Sequence, residues 1–156
     1  MDWARDRWVE AGEPDQERFI ATMAILRLSG IVGAGLDRAL KDHDTSRTGF
    51  MILCTLRIAH DQSLTMSQLS KRLVLHATTI SLVVDQLQER GLVTRSQHPS
   101  DKRTVLATLT PKGAKALHKI NLSVSESGYG LDGVDERLAI MLTEVIRYAR
   151  NALGDE

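Results

Sequence analysis

A group of cations and small hydroxyls is concentrated between residues 72 and 103: Arg72, Arg95, Lys102 and Arg103, with Thr78, Thr79 and Ser81 between them. Guanidinium and ammonium groups donate hydrogen bonds to phosphate oxygens and supply the charge that displaces counterions from them. Short hydroxyl side chains at the start of a helix allow close approach. With the free backbone N–H groups and the positive end of the helix dipole, they bind phosphates or base edges. The stretch HPSDKRTVLATLT at 98–110 poses a related question. A Pro-Ser-Asp-Lys-Arg cluster runs at once into alternating apolar and polar residues, which puts Asp101, Lys102 and Arg103 at the tip of a hairpin. Two cations and an anion at an exposed tip call for a partner outside the chain.

The formal net charge of the 156 residues is zero, but the charge is unevenly placed. Residues 65–115 hold eight Lys and Arg against three Asp and Glu, while the segments before and after carry net charges of −2 and −3. A basic island between acidic flanks is the footprint of a surface that meets phosphates. Clustering on a solvated face gives the same arithmetic, so charge alone leaves both readings open.

The elements that must carry these groups follow from periodicity. After Pro14, residues from Asp15 to about Leu40 read as one long helix with apolar residues at Phe19, Met23, Leu26, Ile31 and Leu36. Gly30, Gly33 and Gly35 each cost that helix about 1 kcal/mol relative to Ala, which predicts close approach to another backbone or a bend. Ser46 or Thr48 caps a second helix through Phe50, Leu53, Leu56 and Ile58. Thr65 and Gln68 have capping-box spacing and open a short third helix with Leu69 and Leu73 inward. A turn at Val74–His76 leads to a fourth, whose stripe is Ile80, Val83, Val84 and Leu87 and whose stop is Gly91. The period then changes from 3.6 to 2 in LVTRSQ and RTVLATL, a hairpin. Thr110 and Pro111 start a fifth helix, SESGYGLDG breaks it, and a last helix from about Asp135 carries the seam Leu138, Met141, Leu142, Val145 and Ala149.

Two helices joined by a tight turn and followed by a hairpin form a winged helix, in which the second helix enters the major groove. With its apolar stripe inward, that helix presents Ala77, Thr78, Ser81, Leu82 and Asp85. Lys71 and Arg72 end the preceding helix, and Arg95 lies on the first wing strand. His76 is either a solvated turn residue or a pH-dependent phosphate contact. The stretch GLVTRSQHPSDKRTVLATLTPKG resembles the wing signature of the MarR family of bacterial transcription regulators. Its D-x-R, five residues, then L-T core stands here as Asp101, Arg103, Leu109 and Thr110. LTMSQLSKRL and TTISLVVDQLQERGLV resemble that family's helix–turn–helix, and the likeness covers roughly residues 48–118.

The resemblance implies a mainly α fold with a small β-wing, in which a winged helix-turn-helix is flanked by long N- and C-terminal dimerisation helices. It divides the chain into an N-terminal extension and first dimerisation helix at 1–45, a DNA-binding region at 46–110 and C-terminal dimerisation helices at 111–156. It implies a homodimer on a pseudo-palindromic double-stranded DNA operator, usually as a repressor, with half-sites one helical turn apart. Carried over by position, Arg103 is the minor-groove arginine, Asp101 the carboxylate that orients it, and Thr78, Thr79 and Ser81 the reading end of the helix. Leu82 departs from the polar or basic residue common in the family, which points to apolar contact, for example with a thymine methyl.

A small-molecule effector, an aromatic acid or its thioester, is the further expectation, with Met23, Arg27 and Met51 as pocket candidates. Core packing for the methionines and a salt bridge for Arg27 are the competing readings. Cys54 lies among apolar neighbours in FMILCTLRIA, where burial makes a thiol inert rather than redox-sensing. Trp3 and Trp8 either pack an extra short helix or anchor a tail. The alternative functions are a winged helix used for protein contact and a regulator that senses redox state through Cys54. The chain shows no Gly-rich phosphate loop, no H-E-x-x-H, no nucleophile elbow and no metal-spaced cluster, its five histidines being scattered. No enzyme activity, metal or cofactor is therefore expected. No secretory signal and no uncharged run long enough for a bilayer are read, which predicts a cytoplasmic protein without membrane contact.

Overall fold

The computed structural model describes residues 2–155. Its elements follow in the order α1 (Asp2–Glu10), α2 (Gln16–Leu40), a 3-10 turn (Lys41–His43), α3 (Arg47–Ile58), a second 3-10 turn (His60–Gln62), β1 (Ser63–Thr65), α4 (Met66–Leu73), α5 (Ala77–Glu89), β2 (Val93–His98), β3 (Asp101–Leu109), α6 (Pro111–Glu126), a third 3-10 turn (Gly128–Gly130) and α7 (Glu136–Ala152). The protein is mostly helical with one three-stranded antiparallel sheet in the order β1-β3-β2.

Local capping chemistry sets most of the boundaries. The Ser46 hydroxyl accepts from the Gly49 N–H at 3.1 Å and starts α3. Thr65 and Gln68 exchange both bonds of a capping box, at 3.1 and 2.8 Å, and start α4. Gly91 takes φ +70° just after α5, a conformation that costs glycine nothing and other residues about 1 kcal/mol or more. At the base of the wing, the Thr110 hydroxyl donates to the Gly91 carbonyl at 2.8 Å and accepts from the Gly113 N–H at 2.9 Å. One side chain thus joins the end of α5, the wing and the start of α6.

One continuous core runs through the centre of the chain. Ile52, Leu53 and Leu56 of α3 pack with Leu69 of α4, the stripe Ile80, Val83, Val84 and Leu87 of α5, Val93 of β2 and Leu117, Ile120 and Val124 of α6. Ile58, expected inward, is 83 % exposed, because it is the last residue of α3 and lies beyond the buried seam. The glycines of α2 separate into two roles. A Cβ on Gly35 would stand 2.7 Å from the Cα of Gly130, which itself has φ +80°, so this pair is the predicted close approach. Gly30 faces open space.

The N-terminal segment takes the packed-helix reading, through Trp8 alone. The N-terminal residues form a helix, α1, that folds back on α2. Trp8 stacks on Phe19 with ring centroids 3.6 Å apart and donates from Nε1 to the Pro14 carbonyl at 2.9 Å, while Trp3 stays exposed. The segment Gln16–His43 is also long and apolar enough, by length and composition, to cross a bilayer. Counting only uncharged runs passes it over, since Arg27 interrupts the stretch 19–36 as its sole charge.

Candidate nucleic-acid interface

The turn before α5 is held by Ser70, whose hydroxyl donates to the Leu75 carbonyl at 2.5 Å and whose carbonyl accepts from the Leu75 N–H at 3.1 Å. Val74 adopts φ +51°, a conformation unfavourable for a β-branched side chain, and thereby turns the chain sharply into α5. His76 is the N-cap residue, but its ring caps nothing, so the first N–H groups of α5 have no side-chain partner. Around them Ala77, Thr78 and Leu82 are exposed and Thr79 and Ser81 half-buried. At 61 % exposure Leu82 offers an apolar contact beside the hydroxyls.

The wing is a tight hairpin. Val93 pairs with Leu109, and the register continues through Arg95 with Ala107 to Gln97 with Val105. The pairing then shifts, and His98 faces Asp101 across Pro99 and Ser100. Lys102, Arg103 and Thr104 are extra residues on the β3 side of this irregularity, which is how the strand end offers its side chains to solvent. Asp101 organises them. Its Oδ1 accepts from the Arg103 backbone N–H at 3.0 Å and its Oδ2 from the Thr104 hydroxyl at 2.7 Å. The Thr104 bond foremost, then the Arg103 N–H and the nearby charge of His98, hold the Asp101 carboxyl below the usual carboxylate range. Asp101 thus holds Arg103 through the backbone at the tip and forms no ion pair with its guanidinium.

The remaining cations divide into bound and free. Among the described residues Lys71, Arg72, Lys102 and Arg103 form no ion pair. Arg95 is different, because its guanidinium donates to Asp85 and, at 3.3 Å, to the Ser81 hydroxyl. Sequence reasoning missed Arg90. It clamps the end of α5 by donating to the Asp44 carbonyl, the Thr45 hydroxyl and the His43 carbonyl, and its own carbonyl accepts from Lys112 at 2.7 Å. The three acceptors lie 45 to 47 residues away in the chain, so no local pattern announces the clamp.

The pocket candidates all lie on the surface of the single chain. Met23 and Arg27 are exposed on α2 and Met51 is exposed on α3. The salt bridge expected for Arg27 does not form within the described residues. A cleft of about 480 Å³ opens instead between Asp37 and Leu40 of α2, Thr45, Gly49 of α3 and Leu87 and Arg90 at the end of α5, and none of the three lines it. Cys54 is half-buried, and burial pushes its thiol up to about 11. Among the described residues no group of three or more His, Cys, Asp or Glu is placed to share a metal ion.

Comparison with known proteins gives a consistent result. The MarR family model matches residues 45–105. An uncharacterized HTH-type transcriptional regulator of Bacillus subtilis strain 168, YkoM, is 32% identical over 110 residues, covering 67% of this chain and 70% of YkoM. Among solved structures, Sco5413, a MarR family transcriptional regulator from Streptomyces coelicolor, superposes with a TM-score of 0.79 at 26% identity, over 89% of this chain and 96% of that one. Sco3205, a MarR family regulator from the same organism solved in complex with DNA, shares the fold with a TM-score of 0.76 at 24% identity, over 88% and 91% of the two chains.

Proposed function

Because the chain belongs to the MarR family of transcriptional regulators, we propose that it binds a pseudo-palindromic DNA operator as a homodimer and represses transcription there. In this reading residues 46–110 form the DNA-binding region, and residues 1–45 and 111–156 supply the dimer contacts. The carrying observation is the set of cations without ion-pair partners among the described residues, Lys71, Arg72, Lys102 and Arg103, together with a helix start that offers small hydroxyls and free N–H groups. Thr78, Thr79 and Ser81 face the major groove with Leu82 as the apolar contact. Arg103 enters the minor groove and reads its width as well as its charge. Lys102 and Arg72 meet phosphates, and His76 lies against the backbone beside them.

Repression requires a release signal, and a small aromatic acid or its thioester is the class we assign to it. The exposed apolar stretch of α2 around Met23 and Arg27, with Met51 on α3, supports a site completed only when a second protomer covers it. The test is selection of fragments from a random-sequence duplex pool by the purified protein, followed by affinity measurements across salt. Binding that falls steeply with salt and collapses in Arg103→Ala supports the reading, and salt-insensitive binding overturns it. Titration with aromatic acids and their thioesters then tests the effector: unchanged operator affinity overturns that part alone.

A further inference from the structure

Arg95 stands on the first wing strand with its chemistry already committed. Its Nη1 donates to Asp85 and its Nη2 to Ser81, and its side chain is only 26 % exposed. Ser81 and Asp85 are four residues apart on α5, so they share one face of that helix. The guanidinium fork therefore grips two successive turns of the reading helix from the middle of β2, opposite Ala107 in the sheet. A planar fork fixes direction as well as distance, which a flexible ammonium does not.

We infer that Arg95 is a positioning residue, not a phosphate contact: it sets the angle between wing and reading helix and presents Ser81 to DNA as a hydrogen-bond donor. The polarity follows from the inventory of groups. Guanidinium has no acceptor, so the Ser81 oxygen accepts from it and the hydroxyl proton is left to point outward. A donor at that place selects an acceptor on the DNA, namely a purine N7 or O6 or a thymine O4. The charge of Arg95 is balanced by Asp85, so the pair adds nothing to the field that attracts phosphates, unlike the unpaired Lys102 and Arg103.

The inference rests on the DNA-binding reading above, and the test separates the two. The probe is the duplex fragment that the purified full-length protein recovers from a random-sequence pool. Affinity is measured across salt for the parent, Arg95→Gln, Arg95→Lys, Asp85→Asn and the double variant Arg95→Gln/Asp85→Asn, which keeps the parent's net charge. We expect each single variant to lose about tenfold, Lys included, and the double to bind no worse than Arg95→Gln. The double should also keep the parent's slope of log K against log salt, whereas Arg103→Ala flattens it by about 0.9 for each phosphate no longer neutralised. Ser81→Ala should remove the base preference at one position in each half-site. Full affinity in Arg95→Lys, or a double variant whose slope flattens by about 0.9 per phosphate, makes Arg95 a phosphate ligand and overturns the inference. A parent that recovers no duplex overturns the DNA-binding reading and the inference with it.

Discussion

At the residue scale, the wing tip shows how one carboxylate fixes the backbone of a hairpin end. Asp101 spends both oxygens on its own strand, on the Arg103 N–H and the Thr104 hydroxyl, and so fixes the backbone that carries the Arg103 guanidinium. These bonds favour the ionised form and lower its pKa. A carboxyl depressed in the folded state stabilises above its unfolded pKa and loses that contribution as pH falls through the folded value. The wing should therefore hold its geometry at neutral pH and loosen only in acid, below the ordinary carboxylate range. Thr104→Val removes the principal bond and should raise the Asp101 titration midpoint, read by carbonyl-carbon NMR. Cys54 shifts the opposite way. Its thiol, raised by burial to about 11, stays protonated at neutral pH while an unfolded thiol ionises near 9.0. Stability should fall between those two values, and thiol-specific reagents should label the native protein far more slowly than the denatured one below about pH 9.

At the element scale, stability and legibility both follow from how far apart the partners lie in sequence. The Thr65–Gln68 capping box spans three residues, is legible as a spacing, and forms with both bonds. Thr65→Ala should cost about 1 kcal/mol, read as a lower denaturation midpoint with an unchanged m value. The stripe Ile80, Val83, Val84 and Leu87 is equally legible, because a helix face is a local periodicity and all four residues are buried. Strand β1 is not. Its three residues pair with Thr108, Ala107 and Leu106 of β3, and a strand that short has no pattern of its own. The site divides in the same way. The free cations at the wing tip are visible from composition and the turn, whereas the partners of Arg95 and Arg90 depend on which surfaces the fold brings together. In the sequence Arg95 is one more cation for phosphate, and only the packing of β2 on α5 sets Asp85 against it.

At the scale of the whole molecule, a single chain leaves two apolar surfaces uncovered. Helix α7 has no buried residue, although Met141, Val145, Ile146 and Tyr148 are all more than half exposed. Helix α2 exposes Ile25, Leu26 and Ile31 in the stretch whose composition would also suit a bilayer. Exposed contiguous apolar area of this kind marks an interface, and in the homodimer proposed above a second copy covers it. The heptad-like seam Leu138, Met141, Leu142, Val145 and Ala149 is suited to helix pairing. Under that proposal two joined winged helices bind two half-sites with one association step, an arrangement worth about 10²- to 10⁴-fold in affinity. A charge in the seam tests the arrangement without entering the DNA-binding region. Met141→Asp with Val145→Asp should leave the helical circular dichroism of the winged region in place. It should halve the mass found by sedimentation equilibrium and weaken operator binding by about a hundredfold or more. If the mass stays at two chains, the seam lies outside the interface. If the parent is one chain and sediments with lipid vesicles, the apolar face of α2 serves a membrane instead of a second copy.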